Sequence, residues 1–136
     1  MSKQIISTSH APVAVGPYSQ GVRIGDLIYT AGQLGIIPGS KAFAGPDIES
    51  QTRQALENLK AVLEAGGSCL ENVVKTTVFL QDMGEFGRMN AVYAEFFPAA
   101  PPARSAVQVA ALPLGGRVEI EAVAKAGDCE HPDSDD

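Results

Sequence analysis

Pro101 to Glu121 reads PPARSAVQVAALPLGGRVEIE. Its two prolines end whatever precedes it. Arg104-Ser105-Ala106-Val107-Gln108-Val109 then alternates with the period of two that marks a half-buried strand. Leu112 to Gly116, with Pro113 and the Gly115-Gly116 pair, reads as a loop. Val118 to Val123 alternates again and predicts a second strand. Arg104 leads the first strand and Glu119 stands near the start of the second. A guanidinium and a carboxylate fixed on neighbouring rigid elements would suit a small, planar, carboxylate-bearing molecule.

Upstream, Met83 to Phe97 carries Phe86, Met89, Tyr93, Phe96 and Phe97 at helical spacing, and Pro98 stops it. Asn90 borders that apolar side, where an amide needs partners. Val73 to Leu80 is apolar on both faces, with Val74, Val78 and Leu80 on one and Val73 and Phe79 on the other. That pattern predicts a central strand. Ser68-Cys69-Leu70-Glu71 fits a capping box and one short turn.

Ile48, Thr52, Ala55, Leu56, Leu59, Val62 and Leu63 fall on one face of an earlier helix. Asp47 caps it and Gly66-Gly67 ends it, while Gln51, Arg53, Lys60 and Glu64 lie off the stripe. Gly35 to Pro46 is a loop. Gln20 to Ile24 and Leu27 to Leu34 read as strands joined by a tight turn at Gly25-Asp26. Gly32 inside the second suggests a bulge or a close backbone approach. Val15 to Gly21 is a loop in which Pro17 and two glycines hold Tyr18. Lys3 to Ser7 is a short first strand.

The order is strands, helix, strand, helix, two strands: an α+β domain with two helices covering one sheet face. The other face keeps apolar residues, which predicts association into a homo-oligomer.

A chain of 136 residues that is 45% hydrophobic suits one globular domain. We assign residues 1–126 to it and 127–136 to an acidic, disordered tail. The net charge of −6 is mostly that tail: five of the 16 acidic residues follow Gly127, leaving 11 acidic against 10 basic residues in the body. A nearly neutral body offers no broad electrostatic footprint for nucleic acid. No membrane span or signal peptide is apparent, so the expected compartment is the cytoplasm. Cys69 and Cys129 are too few for a disulfide framework and are read as thiols. His10 and His131 have no metal-ligand spacing, no phosphate loop is present, and no Ser-His-acid set assembles. The sequence therefore predicts no cofactor and no metal.

Gly16-Pro17-Tyr18-Ser19-Gln20, Ala31-Gly32-Gln33, Val74 to Val78, Asn90 with Tyr93 and Phe96-Phe97, Pro102-Ala103-Arg104-Ser105 and Val118 to Ala122 together resemble the RidA (YjgF-type) family of imine and enamine deaminases. The resemblance runs from about Ile5 to Ala126. It implies a chorismate-mutase-like (Bacillus-type) fold, a mixed six-stranded sheet with both helices on one face. It also implies a homotrimeric barrel with sites between subunits. In that family order the last strand slots between earlier ones, away from the strand of Arg104.

The implied activity is hydrolysis of reactive 2-imino or enamine acids, such as 2-aminoacrylate and 2-iminopropionate. The products are a 2-keto acid and ammonia, a damage-control role linked to PLP-dependent dehydratases. Carried over by position, Arg104 binds the substrate carboxylate and Glu119 activates water, while Tyr18, Gly32 and Asn90 line the pocket. Ala106 replaces a cysteine found in many relatives, and Ala31 a serine found in some. The competing readings are an RNA-acting protein of the endoribonuclease or translation-inhibitor type and a non-catalytic module that binds a small ligand.

Overall fold

The computed structural model describes residues 2–129. Seven strands and two helices follow one another as β1 (Gln4–Ile6), β2 (Gly21–Ile24), β3 (Leu27–Thr30), β4 (Gln33–Leu34), α1 (Ile48–Ala65), β5 (Val73–Leu80), α2 (Phe86–Phe96), β6 (Ala103–Gln108) and β7 (Val118–Lys125). The sheet runs β1-β2-β3-β7-β5-β6, with β4 also on β7. The β5–β6 pair, joined through α2, is parallel, and the other pairs are antiparallel. The sheet is thus mixed and open.

The expected six strands become seven because the run Leu27–Leu34 is broken. Tyr29 pairs with Val123 but Gln33 pairs with Ile120, so one extra residue sits on the β3–β4 side. The Ala122 N–H, left without a backbone partner there, donates to Thr30 Oγ1 at 3.0 Å. This is the bulge that Gly32 suggested. The turn at Gly25-Asp26 is also present, with Gly25 at φ +57°.

Alternation sorts the sheet into two faces. Ile28, Thr76, Val78, Leu80, Val118, Ile120, Ala122 and Ala124 point inward and are buried. Against them lies the predicted stripe of α1, every member of which is buried, together with Met89, Tyr93 and Phe97 of α2 and its C-cap. Tyr93 reaches the sheet through a 2.7 Å hydrogen bond between its hydroxyl and that of Thr76. Both helices therefore cover the same face. Among the described residues no helix covers the opposite face, where Leu27 and Tyr29 are 40% and 46% exposed.

The caps of α1 follow the expected chemistry. Asp47 accepts from the Ser50 N–H at 2.9 Å, and Gly67, at φ +89°, takes the left-handed turn beyond the helix. Gln51, placed off the stripe, is instead buried. Its amide donates to Gly45 O and accepts from the Arg117 N–H, tying two loops to the helix. Val74 also departs from its assigned face. A bulge between Val73 and Lys75 turns it outward, so Val73 joins the core and Val74 is exposed. The turn at Leu70–Asn72 forms, but no capping box does: Cys69 makes no side-chain cap, and Ser68 Oγ donates instead to Lys125 O at 2.7 Å.

The thiol reading of the cysteines is overturned. Cys69 and Cys129 form a disulfide with Cα atoms 6.2 Å apart, bridging 60 residues. The start of the expected tail is also placed: Gly127 N–H donates to Gly67 O at 2.9 Å. Residues 130–136, the rest of that tail, lie outside the described residues. Among the described residues no helix is long and apolar enough to cross a membrane.

Candidate functional site

The sequence-derived site residues fall into two groups, on opposite faces of the sheet. Arg104 pairs across the ladder with Thr76, and Thr76 with Ala122, so these three share the inner, helix-covered face. Glu119 pairs with Phe79, three residues from Thr76, and so points from the outer face. β6 and β7 are not neighbours, because β5 runs between them. Within one chain the expected adjacency of Arg104 and Glu119 does not occur.

The first group is built on β6 and α2. Arg104 Nη1 donates to Asn90 Oδ1 at 2.6 Å. Its guanidinium carbon lies 4.7 Å from the centre of the Tyr93 ring and 5.3 Å from that of Phe86. Both rings can share the charge by cation–π attraction. Arg53, Arg88 and Arg117 are each paired with a glutamate, and Arg23 with backbone carbonyls. Among the described residues no carboxylate pairs with Arg104. Its partners orient the fork without neutralising it. Burial pushes the Tyr93 phenol up, so it stays a neutral wall beside the cation.

The second group lines a cleft of about 1070 Å³. Tyr18, Gly32 and Glu119 meet there, with Gln20, Ala31 and Leu114. Tyr18 is half-exposed; its backbone turns back on Gly16 O at 2.8 Å, and its hydroxyl accepts from the Val15 N–H at 3.4 Å. Glu119 stands opposite Leu34 on β4 and directly beside Gly32. It is half-buried, and desolvation, then the negative charge of Glu121, pushes its carboxyl above the ordinary range. A carboxyl so placed exchanges protons more readily near neutrality than a solvated one.

Two residues that sequence reasoning did not assign to the site build its walls. Gln20 is buried: it accepts from Thr8 N–H at 2.7 Å and donates to the carbonyls of Thr8, Ala11 and Pro12, fixing one rim. Its place directly after the Tyr18 loop was the available signal. Leu114 adopts φ +58° and stands exposed on the other rim; nothing in its local sequence marks it.

The fold and these two groups define a class: an open, mixed-sheet α+β protein with a guanidinium held between an amide and two aromatic rings on one face and a cleft lined by a glutamate on the other. The family model described as Endoribonuclease L-PSP matches residues 8–126, and the chain belongs to that family, which the RidA/YjgF signature had indicated. The 2-iminobutanoate/2-iminopropanoate deaminase of Mus musculus is 49% identical over 125 residues, which cover 92% of this chain and 93% of that protein. A RutC family protein of Pyrococcus horikoshii is 49% identical over 90% of this chain and 97% of its own. The chloroplastic Reactive Intermediate Deaminase A of Arabidopsis thaliana is 45% identical over 91% of this chain, which spans 66% of that longer protein. Among solved structures, E. coli TdcF with bound serine superposes with a TM-score of 0.87 at 42% identity, covering 91% of this chain and 99% of that one.

Proposed function

We propose that the protein is a hydrolytic deaminase of 2-imino acids and their enamine tautomers, working as a homotrimer with each site shared between two chains. One observation carries the reading: Arg104 is held by Asn90, Tyr93 and Phe86 with no carboxylate of its own among the described residues. A guanidinium so prepared suits the carboxylate of a substrate. The name of the mouse relative and the serine bound to TdcF support a small acid of this kind.

The trimer is supported by the division of the residues. One chain holds Arg104 on the inner face and Glu119 on the outer, so a second chain is needed to bring the two chemistries together. The exposed outer-face residues Ile5, Tyr29 and Val107 offer apolar area for such packing.

Arg104 grips the substrate carboxylate and aims the adjacent C=N carbon. Water adds to that carbon while Glu119 accepts its proton. Glu119 then returns the proton to the nitrogen of the carbinolamine. The hydroxyl proton then passes by way of Glu119 to the same nitrogen, the C–N bond breaks with its electron pair on nitrogen, and the products are the 2-keto acid and ammonia. Such imines already hydrolyse in water, so a modest acceleration is enough. Dehydratases and other enzymes that release enamines would supply the substrate.

The test is 2-keto acid release from imines generated in place by an amino-acid oxidase. Arg104→Ala should abolish the acceleration while scattering still reports a trimer. Unchanged turnover in that variant, or a monomer in solution, would overturn the reading.

A further inference from the structure

The chain beyond β7 turns back along Gly67 to Asn72, the link between α1 and β5. Ser68 Oγ donates to Lys125 O at 2.7 Å, and Gly127 N–H donates to Gly67 O at 2.9 Å. Asn72 Nδ2 donates to Gly127 O at 3.2 Å and to Asp128 O at 3.4 Å. The Cys69–Cys129 bond closes this seam. Its two sulfurs are unequally placed. Cys69 is buried, 4% exposed, and the core residue Leu70 follows it in the chain. Cys129 is half-buried and follows the exposed Asp128.

We propose that the Cys69–Cys129 pair is a thiol-exchange site, open to a dithiol reductant at Cys129, whose reduction releases residues 127–129 from the Gly67–Asn72 turn. The reductant's thiolate attacks Cys129 Sγ, forms a mixed disulfide and expels Cys69 Sγ, which takes a proton. The second thiol of the reductant attacks the sulfur of the first, becomes a cyclic disulfide and releases Cys129. The protein gains two hydrogens and the dithiol loses two. Afterwards the segment is held by its hydrogen bonds alone. Those from Asn72 are exposed to water and weak for that reason.

The consequence is local. Lys125 lies six residues along β7 from Glu119, about 20 Å of extended chain. Among the described residues no hydrogen bond joins the lining of the cleft to the seam. Reduction should therefore change the resistance of the C-terminal segment and the stability of the fold, and leave turnover unchanged.

The full-length protein is first digested without reductant, and peptide masses should show the Cys69 and Cys129 peptides joined. The intact protein is then treated with dithiothreitol in the presence of a chelator. The chelator matters because the reduced sulfurs and the Glu71 carboxylate would offer a soft cation three donor atoms within 4.8 Å of one another. Tm should fall by about 10 °C, as expected for opening a long cross-linked loop. Trypsin cleavage after Lys125 should speed up about tenfold. Cys129→Ser without reductant should match the reduced wild type in both respects. The proposal fails if the oxidised protein yields two alkylatable thiols. It also fails if the reduced protein and Cys129→Ser keep the oxidised Tm and cleavage rate.

Discussion

Gly32 lies so close to Glu119 that a Cβ on the glycine would sit 2.8 Å from the glutamate's carboxyl carbon and 2.9 Å from its Cγ. The backbone of Gly32 does not have positive φ, so only space, not strain, requires the missing side chain. The obstructed atoms belong to a flexible side chain, which can move aside. Gly32→Ala should therefore fold with a Tm within a few degrees of wild type while displacing Glu119. We expect kcat/KM for imine hydrolysis to fall at least about tenfold, since small misplacements of a catalytic group are costly. Equal kcat/KM in the two proteins would show that the position of Glu119 is immaterial.

Asn90 contributes through Arg104. It accepts the 2.6 Å bond that sets the guanidinium's direction. Asn90→Ala should leave the cation on its aromatic rings but widen its range of orientations. The expected signature is a KM raised several-fold with kcat less affected. Arg104→Lys should do more harm, because an ammonium cannot form the bidentate fork or stack on Tyr93 in the same way. Steady-state kinetics of both variants, with circular dichroism as a control on folding, would check the order.

What could be read from the sequence followed from local chemistry. The stripe of α1, its Asp47 cap, the stop at Pro98 and the alternation of β6 and β7 are properties of adjacent residues. The separation of Arg104 from Glu119 is different in kind. Alternation says which residues of one strand share a face, but the faces of two strands are related only through register. That register is set by β5, which pairs Thr76 with both Arg104 and Ala122. Val74 was misplaced for a similar reason: one bulge residue reverses the parity of everything before it. Gln51 and Asn58 are buried polar residues because distant loops bring backbone groups to them, and helical periodicity carries no trace of those loops. The Cys69–Cys129 link joins residues 60 apart, and two cysteines by themselves do not announce a pair.

The pH dependence of the reaction should carry the mark of Glu119. Desolvation, and after it the negative charge of Glu121, raises its carboxyl pKa above that of an ordinary glutamate. The rising limb of kcat/KM should accordingly lie above the range of a solvated glutamate. Glu121→Gln removes a repelling charge, eases ionisation of Glu119, and should move that limb to lower pH. The stability consequence has a definite sign. A carboxyl whose folded pKa exceeds its unfolded one binds its proton more tightly when folded. The associated stabilisation is present below the unfolded pKa and lost as pH rises through the folded one. Glu119→Gln should thus lose turnover and its pH limb, yet be at least as stable as wild type at neutral pH. Tm profiles from pH 4 to 8 would test this, and a lower Tm for the variant at pH 7 would contradict it.

Asn58 links the helix layer to the cleft. It is fully buried in α1, and its Nδ2 donates to Leu34 O at 3.0 Å and Ile36 O at 2.8 Å. Leu34 stands opposite Glu119 in the sheet, and both Leu34 and Ile36 line the cleft. Asn58→Ala would leave these carbonyls without their donor, at about 1–3 kcal/mol for each buried group. For a domain of this size the expected fall in Tm is several degrees or more. Asn58→Asp should be worse, because it sets a carboxylate against two carbonyl oxygens and adds the cost of a buried charge. With β4 loosened, Glu119 loses its fixed neighbour, so kcat/KM should fall even at temperatures where the variant is fully folded. A series giving Asp the lowest Tm, Ala an intermediate one and wild type the highest, with activity in the same order, would bear this out. An alanine variant as stable and active as wild type would mean that water or a shifted side chain satisfies those carbonyls instead.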